Sequence, residues 1–393
     1  MSKDFLNILL TCHSVVRLSY PVVCGLCQSV RPLNEIFLRH PNPVPMVRTI
    51  FFCALVSLLS LLSVTASHAQ AISMGFTQLK QPDGGVTTVF YPSNEVEARV
   101  KKGPFELSWA NNASASKGNG RLIVISHGSG GSPWVHTDLA RVLVKRGFVV
   151  AMPQHWGDNN LDHSNPGPSS WALRPMEVSR AIDAVSAYQP LSQFLSLDAV
   201  GIFGGSAGGH TALSLAGGEW SPSRFRDYCK QYIERDFSSC VGSITRLRGN
   251  WLDSVKVWLA KRIISWRFSD DDLQSYMDPR IKASAAMVPF AADFVPQSLA
   301  KPQIPLGLII AGKDINQVPS FHVEAILKAC QPHCEVIMNL PEAGHGAMLS
   351  PLPPFEIGSI ESHLLSDPVS FDRSTNIAHL HELIADFFAK YLL

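Results

Sequence analysis

Charge of one sign is missing from this chain. Among 393 residues, 33 Lys and Arg stand against 32 Asp and Glu, and the formal net charge is +1. A polyanionic partner calls for a basic stripe or block, so nothing points to nucleic acid. Internal repeats are also absent, so a repeat array is not expected. Long apolar runs are scarce. The exception is residues 50–64, about 15 residues, which is the length of a signal-peptide core and short for a membrane span. Met46, Val47 and Arg48 form a short positive start before it, and Ser67, Ala69 and Ala71 behind it suit signal peptidase. Residues 46–69 are therefore expected to be a removed signal peptide. The mature chain would begin near residue 70, be secreted or periplasmic, and keep no stable membrane anchor. No cysteine follows the run closely, which argues against a lipoprotein. Residues 1–45, with scattered Cys, Arg and Pro, do not fit ahead of such a signal and are expected to be a non-native upstream extension.

Cysteine is sparse. Cys12, Cys24, Cys27 and Cys53 precede the expected cleavage, leaving Cys229, Cys240, Cys330 and Cys334. An even number in an exported chain suggests two disulfides, most simply Cys229–Cys240 and Cys330–Cys334, although four cysteines allow three connectivities. Zinc is the rival reading, because His333 lies inside the Cys330–Cys334 spacing, but no second ligand pair is convincingly spaced. His155, Asp158 and His163 fall in a polar stretch, 154–170, that reads as a flexible loop rather than a metal site. No metal and no cofactor are expected.

What is present is an alternation of strand-like and helix-like segments. Apolar runs at 86–92, 122–125, 148–153, 199–203, 283–288, 306–311 and 335–340 read as strands. Patterns at 135–145, 176–187, 211–216, 321–329 and 376–391 read as helices. Strands alternating with helices predict an α/β fold with a doubly wound, mostly parallel sheet. Between about 217 and 279 strand-like runs vanish. Residues 224–237 and 251–266 look helical, and Trp251, Val255, Leu259 and Ile263 repeat along one face. This segment is expected to be a helical cap within a domain spanning 70–393, its apolar face packed over the mouth of a site.

The run at 199–203 leads into Gly204-Gly205-Ser206-Ala207-Gly208-Gly209. Strand, G-x-S-x-G, helix is the setting of a nucleophilic serine on a strained turn, where glycines two residues either side avoid a backbone collision. A serine hydroxyl needs a base, usually histidine, and that imidazole needs a carboxylate to hold its tautomer. The chain order Ser206, Asp314, His345 meets this need, each residue following a strand. Asp293, one strand earlier, is the rival acid. His127 is read as shaping the loop after 122–125 and not as the base. Two N–H donors for a tetrahedral oxyanion are expected from Ala207 and Ser129, with Gly128, Gly130 and Gly131 letting the backbone come close.

These residues carry a resemblance. Phe90-Tyr91-Pro92, Ile125-Ser126-His127-Gly128-Ser129-Gly130-Gly131, Arg174-Pro175-Met176-Glu177 and Asp278-Pro279-Arg280-Ile281 belong to it. With the segment 139–151, they make the chain similar to the α/β-hydrolase superfamily over nearly all of its mature length. Within it, the chain resembles predicted dienelactone-hydrolase-like proteins related to platelet-activating-factor acetylhydrolases. The resemblance implies an esterase fold with a Ser-Asp-His triad. Two departures bear on it. Dienelactone hydrolases use a cysteine where Ser206 stands here. The acetylhydrolases take their acid from the strand after the cap, which here is residues 283–288 and holds no carboxylate. The expectation is a secreted serine hydrolase that cleaves small-molecule carboxylic esters, with an apolar acyl or aromatic group hinted by Trp251, Trp258 and Trp266. The competing readings are a peptidase or amidase on the same fold and a non-catalytic binding protein with a relic triad.

Overall fold

The computed structural model describes residues 72–393 apart from residue 82. The signal-peptide and upstream-extension expectations lie outside the described residues. Within them, ten strands form one sheet: β1 Ser73–Lys80, β2 Val86–Ser93, β3 Ala98–Lys102, β4 Phe105–Asn111, β5 Leu122–Ser126, β6 Val149–Pro153, β7 Val200–Gly205, β8 Ile281–Met287, β9 Leu306–Ala311 and β10 Glu335–Leu340. Their order is β10-β9-β8-β7-β5-β6-β2-β1-β4-β3. From β10 to β6 every pairing is parallel. Beyond β6 the sheet turns mainly antiparallel through β2, β1, β4 and β3, with β1 and β4 parallel.

The parallel half is buried on both faces because its crossovers are helical. The helices include α1 Thr137–Lys145, α2 Pro168–Ala187, α3 Ala207–Leu215, α4 Pro222–Tyr232, α5 Phe237–Val241, α6 Leu252–Arg267, α7 Val323–Cys330 and α8 Arg373–Leu392. Alternation along β5 shows the layering. Leu122 and Val124 join the core under α2, α3 and α7, while Ile123 and Ile125 join the core under α1 and α8. This is an α/β-hydrolase-like architecture, an open, mostly parallel sheet with helices on both faces.

Four expectations need correction. First, β1, β3 and β4 were not anticipated. In β3 only Val100 and Lys102 are even half-buried, so no apolar alternation marks it. Second, α2 begins at Pro168, not near 176. Proline is tolerated in a first helical turn, where its missing N–H has no partner to lose, and the helix continues through a buried Pro175. Third, the stretch before α2 is a loop, but its first half is anchored: the His155 and Asp158 side chains are fully buried, while His163 is exposed. Fourth, residues 224–237 split into α4 and α5, joined by the Cys229–Cys240 disulfide; Cys330–Cys334 is the second disulfide.

The apolar face of α6 also departs from expectation. Trp251 just before it is 77% exposed, and Val255, Leu259 and Ile263 are each about half exposed, so this face does not pack over a site. Ile264, on another side, is the buried residue of α6. The helical segment instead reaches the sheet domain through α4, where Arg224 Nε donates to the Phe294 carbonyl at 3.0 Å and the Phe225 ring lies against Trp171 and Phe290, and through α5 and the residue before it. Asp236 Oδ2 lies 2.7 Å from His322 Nε2, and Ser239 Oγ donates to the Asn316 carbonyl at 2.8 Å.

Candidate active site

Ser206 sits where β7 becomes α3, with φ 56° and ψ −119°. That left-handed backbone is strained for a side chain larger than glycine. It is pinned from both sides. The Ser206 N–H donates to the Met287 carbonyl at 3.1 Å, and the Phe290 N–H donates to the Ser206 carbonyl at 3.2 Å. The flanking glycines answer steric demands. A Cβ on Gly204 would lie 1.9 Å from the Gly208 carbonyl oxygen, and one on Gly208 would lie 1.9 Å from that of Ser126. The turn closes this tightly only when both side chains are absent.

Two further strand ends bring partners to the serine. The Gly312 N–H donates to the Leu340 carbonyl and the Lys313 N–H to that of Ala343, both at 2.9 Å, tying the loop after β9 to the loop after β10. Asp314 and His345 lie on these loops. His345 Nδ1 and Asp314 Oδ2 are 2.6 Å apart, and His345 Nε2 is 3.2 Å from Ser206 Oγ. All three residues are buried. The second carboxylate oxygen, Asp314 Oδ1, accepts from the backbone N–H groups of Asn316 at 2.8 Å and Gln317 at 2.9 Å. Arg373 braces the histidine loop by donating to the Gly346 and Leu349 carbonyls. Asp293 does not join the row: its Oδ2 is 3.1 Å from His210 Nε2 in an aromatic pocket that includes Trp220 and Phe294.

The expected N–H donors lie at the same turn. Ala207 opens α3, so its N–H has no intrahelical acceptor. Among the described residues, no hydrogen bond uses the Ser129 N–H. The loop carrying Ser129 crowds the serine, since a Cβ on Gly128 would lie 3.4 Å from Ser206 Cβ. His127 faces away from Ser206: its Nδ1 is 2.8 Å from the Gly128 carbonyl and its Nε2 is 3.4 Å from the His155 N–H. Burial holds the His127 imidazole well below its usual range, and nearby His155 and Arg174 add to this.

Sequence reasoning missed Gln317. Its Nε2 donates to Ser206 Oγ at 3.1 Å, while its Oε1 is buried without a partner among the described residues. It follows Asp314 by three positions, and that proximity was the one available signal. Among the described residues, no group of three or more His, Cys, Asp or Glu side chains is placed to hold an ion.

Fold and site geometry together define an α/β-hydrolase-like molecule with an elbow-mounted serine beside a histidine–aspartate pair. No family model and no curated protein sequence matches the chain. Its backbone is similar to that of a ferulic acid esterase from Streptomyces cinnamoneus, with a TM-score of 0.52, 14% sequence identity, and coverage of 84% of this chain and 92% of that one. At that identity the likeness establishes the fold.

Proposed function

We propose that the protein is an exported serine hydrolase acting on carboxylic esters through an acyl-enzyme on Ser206. The observation that carries this reading is the row from Asp314 through His345 to Ser206, set on a strained turn beside two unspent backbone N–H groups. Ser206 Oγ attacks the ester carbonyl while His345 Nε2 takes its proton. Asp314 holds the Nδ1–H tautomer and stabilises the imidazolium. The Ala207 and Ser129 N–H groups receive the oxyanion, each worth about 3–4 kcal/mol in the transition state. His345 then returns the proton to the leaving alkoxide, and water repeats the sequence to free the acid.

A serine at this position favours an esterase over a dienelactone hydrolase. The name of the structural neighbour, a ferulic acid esterase, fits esters with an aromatic or apolar acyl group. Export is supported by the two disulfides, which persist in oxidising compartments. The test is labelling by a fluorophosphonate probe together with turnover of aryl esters, a ferulic acid ester and peptide anilides. Labelling and ester turnover should both vanish in Ser206→Ala. Anilide turnover without ester turnover would overturn the assignment in favour of an amidase.

A further inference from the structure

Behind the Ser129 loop lies a charged network that the proposed chemistry does not use. Arg174 of α2 and Asp158 are both fully buried, and Arg174 Nη2 bonds Asp158 Oδ2 at 2.9 Å. A buried ion pair costs so much desolvation that well-packed apolar residues often replace it without loss of stability. Stability therefore does not explain this pair, but its remaining bonds do. Asp158 Oδ1 accepts from Ser129 Oγ at 2.5 Å and from the Gly130 N–H at 3.0 Å. Arg174 Nη1 donates to the His127 carbonyl. Every residue from His127 to Gly130 except Gly128 is thus held by this pair. Burial pushes the Asp158 carboxyl up, but the Arg174 charge and the Ser129, Arg174 and Gly130 hydrogen bonds outweigh it, keeping the group ionised below its usual range.

A second row runs alongside. His155 Nε2 is 2.7 Å from Ser126 Oγ, and His155 Nδ1 is 2.6 Å from Glu177 Oε2. Glu177 also accepts from the Trp156 N–H at 2.9 Å. Arg174 and Glu177 stand three apart on one side of α2, so one helix grips the loop on both sides of His127.

We propose that Asp158 and Arg174 are positioning residues that set the direction of the Ser129 N–H, with the Ser129 hydroxyl serving as their tether. The proposal rests on the hydrolase reading for its catalytic consequence and on geometry alone for the clamp. An oxyanion donor acts in the transition state and not in the ground state, so loosening it lowers kcat and leaves KM unchanged.

The test uses the intact protein with 4-nitrophenyl butyrate turnover, thermal unfolding, and hydrogen exchange of the peptide covering residues 126–131. Ser129→Ala, which keeps the backbone N–H, should lower kcat about tenfold with KM within about twofold, should lower Tm only slightly through the lost bond to Asp158, and should speed exchange in that peptide. Ser129→Thr keeps a hydroxyl and should restore kcat to within about threefold of wild type. Asp158→Asn should act in the same direction and more strongly. If Asp158→Asn does not fold, the Ser129 pair of variants carries the test alone. Unchanged exchange and unchanged kcat in Ser129→Ala overturn the clamp. A wild-type protein without ester turnover, whose loop exchange still responds to Ser129→Ala, overturns the hydrolase reading and leaves the clamp standing.

Discussion

Gln317 shows how one side chain can constrain the hydroxyl of the proposed nucleophile. With the Ser206 proton directed at His345 Nε2, Oγ can only accept from its other neighbour, and Gln317 Nε2 supplies that donor. The bond holds Oγ in the rotamer that faces His345, the one the proposed attack requires. A neutral hydrogen bond of this kind is worth about 1 kcal/mol. Gln317→Leu should therefore lower kcat/KM about fivefold, measured on an aryl ester, and equal or higher activity would refute the role. The three residues of the row were legible in the chain because each follows a strand-like run in a fixed order. Gln317, Asp158 and Arg174 were not, because the contacts that matter, Asp158–Arg174 and Gln317–Ser206, span 16 and 111 positions and leave no local pattern. Asp158 and His155 do lie in a loop, but their burial was missed for the same reason: polarity in sequence does not distinguish a solvated side chain from a buried, fully bonded one.

At the level of elements, strands buried on both faces announced themselves as continuous apolar runs, as in β5 and β9. Strands of the antiparallel half did not, since β3 is mostly exposed and β4 mixes buried with exposed positions. Helix α2 was shortened because a proline pair at 168 and 175 reads as a break, while the folded helix accommodates both. The α6 face misled in the opposite direction. Its i, i+4 apolar spacing is genuine, but Trp258 is 60% and Trp266 83% exposed. An exposed ring contributes little to folding, so Trp258→Gln should shift stability by less than about 0.5 kcal/mol in chemical denaturation. A loss several times larger would mean that this face is covered in solution.

For the whole molecule, histidine burial sets the response to acid. Burial, and secondarily the charge of His381, lowers His136 to about 3, and burial lowers His381 to about 4. His127 and His155 are also held well below the ordinary value, chiefly by burial. Each stays neutral when folded and takes a proton when unfolded, so its contribution is complete above about pH 6.5 and is lost as pH falls toward the folded value. Tm and unfolding free energy should drop steadily between about pH 6.5 and 4, and His381→Gln should flatten the free-energy slope by up to about 1.4 kcal/mol per pH unit. A slope unaltered by His381→Gln would count against the assignment.

The sheet has two ends, and β3 is one of them. Arg99, Lys101 and Lys102 fall within its five residues, with Arg99 and Lys101 exposed. A free strand edge is a template for pairing with another chain, and lysine-rich edges resist it. A second copy aligning there would bring like charges into register, so this end of the sheet is protected against the edge-to-edge stacking that seeds aggregation.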